Sequence, residues 1–140
     1  MTDANPAQGP TSGVTPHLTI PSRGASAAVD FYIIAFGAEV LHRRLADDGE
    51  RLIHAHLLIN GASVMLADEF PEHTGQSNIR PVGVSLHLRV ADPDVWWTRA
   101  MVVGGAEPVV DMADQVWGDR YGQLRDPFGH TWSIGGPTKG

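Results

Sequence analysis

The chain has 140 residues, 42% of them hydrophobic and 19% charged, a balance that fits one compact soluble domain or two half-size modules sharing a core. It contains no cysteine, which excludes disulfides and thiolate metal sites, and its net charge of −6 with only ten scattered Lys and Arg argues against a nucleic-acid partner. No apolar run approaches the length of a membrane span and no basic-then-apolar leader opens the chain, so no membrane partner is expected and a cytoplasmic location is the default.

Residues 1–12 are polar and rich in Pro and Gly, and are expected to form a disordered tail. Alternation then sets in: Val14, Leu18 and Ile20 fall on one face of a strand, and Thr15, His17 and Thr19 on the other. After the turn Pro21-Ser22-Arg23-Gly24, a helix over Ala27 to Phe36 is predicted, with Ser26 or Ser22 as its cap. Its buried stripe is Ala28, Phe31, Tyr32, Ala35 and Phe36, and Gly37 ends it in the left-handed conformation. A strand from Glu39 to Leu45 turns at Asp47-Asp48-Gly49 into a second from Leu52 to Ile59. That strand shows Ile53, Ala55, Leu57 and Ile59 on one side and His54, His56 and Leu58 on the other. Asn60-Gly61 turns the chain into Ser63 to Ala67, where Val64 and Leu66 face the core and Met65 faces away.

Asp68 to Pro81 has no periodicity and is expected to be a linker or lid. Beyond it the order starts again. Val84, Leu86, Leu88 and Val90 face a core while Ser85, His87 and Arg89 face away. Asp92 caps a helix with Pro93 at its first position, Trp96, Trp97, Ala100 and Met101 pack it, and Gly104-Gly105 stops it. Strands follow around Val109 to Met112, after Trp117-Gly-Asp-Arg-Tyr-Gly122, and from Thr131 to Ile134, the last two joined through Asp126-Pro127-Phe128-Gly129, a turn with no catalytic role. Val14-Thr-Pro-His-Leu-Thr-Ile20 and Val84-Ser-Leu-His-Leu-Arg-Val90 are thus related text, each with His at its fourth position, and Phe36-Gly-Ala-Glu-Val40 is echoed by Gly104-Gly-Ala-Glu-Pro-Val109.

The fold class expected is α+β: two βαβββ modules whose curled mixed sheets form an open-barrel cup, with the helices outside. The modules are placed at 13–68 and 83–136, separated by a linker or lid at 69–82 and followed by a frayed tail at 137–140. The polar strand faces, rich in histidine, would line that cup and hold a small molecule.

The ligand-binding candidates are His17, His54, His56, Met65, His87, Arg89, Trp117, Arg120, Tyr121 and Ser133. Arg120 between Trp117 and Tyr121 could clamp a carboxylate and stack on a flat ring, or could pair with Asp119 or Asp126 and fix its own loop. Histidines on a wet sheet face could equally be plain surface residues. No cofactor is expected. The alternative is one divalent ion, zinc, nickel or manganese, on His17, His56 and His87. No nucleophile elbow, phosphate loop or dinucleotide fingerprint is present.

Asp30-Phe-Tyr, Phe36-Gly-Ala-Glu39 and Asp126-Pro-Phe-Gly-His-Thr-Trp-Ser133 resemble the vicinal oxygen chelate superfamily, which includes glyoxalase I, bleomycin-resistance proteins, extradiol dioxygenases and fosfomycin-resistance enzymes. Val64-Met-Leu-Ala-Asp-Glu-Phe-Pro71, Ser85-Leu-His-Leu88 and Trp117-Gly-Asp-Arg120 are similar to its PhnB-like branch. The resemblance implies four metal-ligand positions in metal-dependent members, which fall here on Thr15, Met65, Ser85 and Ser133, none a good divalent ligand. A register two residues farther along would bring in His17 and His87, and a terminal carboxylate would still be missing. It therefore implies a metal-free binder of a small, aromatic or antibiotic-like molecule, commonly as a homodimer. The alternatives are a metal-dependent lyase, isomerase or transferase, and a protein-interaction module.

Overall fold

A computed structural model describes residues 8–139. Residues 1–7 of the expected tail, and Gly140, lie outside the described residues. The elements are β1 (His17–Ile20), α1 (Ala25–Phe36), β2 (Glu39–Leu45), β3 (Leu52–Ile59), β4 (Ala62–Asp68) and α2 (Pro71–Thr74), then β5 (Ser85–Arg89), α3 (Pro93–Val103), β6 (Glu107–Asp114), β7 (Asp119–Arg125) and β8 (Thr131–Pro137). Two compact units result. The first runs to Ile79 without Ile34–Phe36, and the second takes Ile34–Phe36 and continues from Arg80.

In unit 1 the strand order is β1-β4-β3-β2, with β1 parallel to β4 and the other pairs antiparallel. Alternation dictates the faces: Leu18 and Ile20 of β1 are buried while His17 and Thr19 between them are exposed. Leu66, Ala55 and Leu57 continue the buried face across β4 and β3. The predicted helical stripe is buried in full, since Ala28, Phe31, Tyr32, Ala35 and Phe36 are each at most 5% exposed. Gly37 terminates α1 with φ 66°, and the amides of Gly37 and Ala38 return to the carbonyls of Ile33 and Tyr32. Neither serine caps the other end. Gly24 stands at that position, and the buried Asp68 carboxylate at the end of β4 accepts from the amides of Ala25 (2.9 Å) and Leu52 (2.7 Å).

In unit 2 the order is β5-β8-β7-β6, again with one parallel pair, β5 with β8, at one side. Asp92 caps α3 through the Val95 amide, with Pro93 in the first turn, as the sequence dictates. Leu88, Val90, Leu124, Trp132, Ile134 and Ala100 are buried, and the Phe36 ring lies 4.8 Å from that of Trp132. Trp97 lies over β7, where a Cβ on Gly122 would come within 2.9 Å of its ring. The Asp126 turn is structural: its carboxylate accepts from the amides of Phe128 and His130 and from the Trp132 indole, at 2.9, 3.0 and 2.9 Å.

One expectation is overturned. Both sheets are open, unit 1 ending in β1 and β2 and unit 2 in β5 and β6, and neither closes or curls into a barrel-like cup. Alternation specifies which side chains share a face but says nothing of curvature, which depends on strand tilt, stagger and length. The outer strands β1 and β5 are only four and five residues long. Val14 and Val84, expected on core faces, precede the strands and are exposed. The segment expected to be a linker or lid carries the single-turn helix α2.

Candidate functional site

The polar face of unit 1 is built by register. His17 on β1 lies opposite Met65 on β4, Met65 opposite His56 on β3, and His56 opposite His42 on β2, so one row crosses the whole sheet. His54 joins the same face, its ring 5.6 Å from that of His42. The members of the row differ in environment. His56 is only 2% exposed and shares a 2.8 Å hydrogen bond with Ser63 Oγ. His54 Nε2 donates to the Gln8 carbonyl. Partial burial, then the nearby His54, holds the His17 imidazole below its ordinary value despite an opposing backbone hydrogen bond.

Beside His17 the face opens into a cleft of about 300 Å³. His17, Thr19, Ala67 and the buried Asp68 belong to the strands, and Glu69, Phe70, Thr74, Gln76 and Ile79 to the segment after β4. More apolar than polar surface lines it, with an imidazole at one side. The segment is tied down by its own chemistry. Glu69 accepts from the Ile79 amide at 3.1 Å, and Ser22 Oγ donates to Asn78 at 3.2 Å. Partial desolvation pushes the Glu69 carboxyl up, but the amides of Asn78, Ile79 and Ser22 outweigh it and hold the group below its ordinary value.

Unit 2 gathers the other candidates on its own polar face. His87 Nδ1 shares a 2.7 Å hydrogen bond with Ser133 Oγ, and Ser133 is 2% exposed. The His87 ring stacks on Tyr121 with centroids 6.0 Å apart, and Tyr121 meets Trp117 edge-on at 5.4 Å. Gly135 makes this packing feasible, because a Cβ there would lie 2.9 Å from His87 and 3.3 Å from Tyr121. The arginines are committed to carboxylates. Arg89 pairs with Asp119 at 2.9 Å, and Arg120 grips Asp94 on α3 at 2.9 Å and reaches Asp114 at 3.5 Å. The partner of Arg120 is thus neither of the aspartates weighed from the sequence. Its guanidinium holds the Asp94 carboxyl below its ordinary value.

The structure therefore brings His17, His54, His56 and Met65 together in unit 1, and His87, Ser133, Tyr121 and Trp117 in unit 2. Sequence reasoning missed His42 and Ile79, and reached Phe70 only as part of the expected linker or lid. The first was legible in principle: pairing across the Asp47-Asp48-Gly49 turn sets Arg44 opposite His54 and hence His42 opposite His56. No periodic signal marks the other two.

The residues do not fit a divalent metal. Met65 has His17 rather than Thr15 beside it, and Ser133 has His87 rather than Ser85, so the positions shift by two and still include no carboxylate. Among the described residues no group of three or more His, Cys, Asp or Glu is placed to hold an ion.

Two four-stranded mixed sheets with the same βαβββ order, each presenting a polar face built around histidine, define a two-module α+β protein. The chain belongs to the Glyoxalase/Bleomycin resistance protein/Dioxygenase superfamily, whose family model matches residues 15–134. It is 44% identical over 131 residues to an uncharacterized protein of Mycobacterium bovis, covering 90% of this chain and 84% of that one. Its fold is similar to that of an Arabidopsis thaliana gene product (27% identity, TM-score 0.70, covering 88% of this chain and 97% of that one). It is also similar to a Bacillus cereus PhnB protein described as a putative 3-demethylubiquinone-9 3-methyltransferase (19% identity, TM-score 0.72, covering 89% and 99%). Among the described residues no helix is long and apolar enough to cross a membrane.

Proposed function

We propose that the protein binds a small, predominantly apolar molecule carrying one hydrogen-bonding group, without a metal, in the cleft between β1, β4 and the segment after β4. The observation that carries this reading is the lining itself: Ala67, Phe70 and Ile79 supply apolar contact, and His17 supplies a directional polar group held toward its neutral form. A neutral imidazole can donate through one nitrogen and accept through the other, which suits a hydroxyl or a carbonyl on the ligand. In unit 2, the His87, Tyr121 and Trp117 rings form a second recognition surface suited to a flat aromatic group. The protein acts as a homodimer in this reading.

Fluorescence titration with 8-anilinonaphthalene-1-sulfonate tests the cleft. Ile79→Asp is expected to weaken binding by about tenfold, since it places a charge where apolar surface would be buried. Unchanged affinity in Ile79→Asp and in His17→Ala would overturn the site. Elemental analysis with native mass spectrometry of protein purified without added metal tests the rest: less than one ion per chain and a dimer mass are expected, and stoichiometric zinc, nickel or manganese would overturn the metal-free reading.

A further inference from the structure

The guanidinium of Arg51 does more than close a surface ion pair. It lies at the start of β3's hairpin and is only 14% exposed. Its Nε donates to Asp48 at 2.6 Å, Nη1 and Nη2 donate to the two Glu72 oxygens at 3.0 and 2.6 Å, and Nη1 also reaches the Glu69 carbonyl at 3.3 Å. Its Cζ sits over the Phe70 ring, 4.3 Å from the centroid. Asp48 is itself fixed by the amides of Glu50 and Arg51, each at 2.9 Å, so the anchoring end is rigid. Phe70 lines the His17 cleft on one side and, on the other, a second cleft of about 410 Å³ that contains Arg51 and Glu72.

We infer that Arg51 is a positioning residue for the ligand cleft: held by Asp48 and Glu72, it pins Phe70 and the α2 turn as a wall and so governs how fast a ligand leaves. The inference rests on the binding reading above for its ligand half, and on this geometry alone for its mechanical half. A lysine could not reproduce it, because a point charge lacks the planar fork that engages two carboxylates while stacking on a ring. The carboxylates are solvent-facing, so salt should loosen the wall.

The test compares wild type with Glu72→Gln, Arg51→Gln and Arg51→Lys. Amide hydrogen exchange is measured without ligand over residues 69–79, and stopped-flow release of 8-anilinonaphthalene-1-sulfonate is measured with it. Glu72→Gln changes an exposed side chain and keeps the test valid should the Arg51 variants fold poorly. Exchange over 69–79 and probe release should both rise by about threefold to tenfold in Glu72→Gln and Arg51→Gln, while core amides of β3 and β4 hold steady. Arg51→Lys should recover less than half of the effect. Raising salt to about 1 M should accelerate exchange in wild type but not in Glu72→Gln. Unchanged exchange would overturn the strut. Faster exchange with unchanged release would overturn its control of the cleft. A wild type that binds no probe would sink the binding reading, leaving exchange to judge the strut.

Discussion

His17 shows how one strand position acquires a tuned side chain. It is exposed in the strict sense, yet it sits beside His54 at the margin of a cleft, and both effects disfavour its charged form. The sign of the consequence follows. The folded protein takes up this proton at lower pH than the unfolded chain, so the contribution to stability is intact above the ordinary value of 6.5 and is lost as pH falls through the lowered one. Urea midpoints measured from about pH 7.5 down to about 5 should fall on the acid side, and His17→Gln should flatten that decline. An equal slope in the variant would assign the acid sensitivity to other groups. Buried Asp68 and Asp126 are a different kind of residue: each spends its carboxylate on backbone amides, Asp126 adding an indole, and so fixes local chain geometry.

Elements were legible where one signal governed them. The α1 stripe, the left-handed Gly37, the Asp92-Pro93 start of α3 and the Asn60-Gly61 turn, where φ is 51° and 79°, all follow from local chemistry. The α1 start was not legible, because its first amide is satisfied by Asp68, forty-three positions away. Alternation places Ile53 on the apolar face of β3, yet it is 50% exposed and Leu52 is buried, because the β2–β3 pairing shifts register between Arg44 and Leu45. Of the cleft lining, His17, Thr19 and Ala67 fall on strand faces that alternation marks, whereas Phe70 and Ile79 lie after β4, where hydrogen bonds instead of periodicity place the chain. Gly136 marks another long-range constraint, since a Cβ there would lie 2.0 Å from the Val90 carbonyl oxygen. Gly136→Ala should therefore cost about 2 kcal/mol or more in urea unfolding. A cost below about 0.5 kcal/mol would mean that β8 can move away from Val90 freely.

At the scale of the whole chain, the sequence specified two modules of matching element order, but neither the strand order within each sheet nor the shape of the sheets. Side-chain alternation encodes inside and outside, whereas curvature is a property of how strands tilt and stagger, and no residue type reports it directly. Among the described residues the open sheets have β1, β2, β5 and β6 as their edges. Those edges are poor templates for another chain: β1 and β5 are short, β2 and β6 are interrupted by register shifts, and Pro108 in β6 has no amide hydrogen to offer. The outermost backbone thus offers little to fibril growth, even though Val109 and Val110 are 44% and 39% exposed beside that proline. On prolonged incubation Pro108→Val should turn thioflavin-positive sooner than wild type, and identical lag times would show that the proline is no gatekeeper.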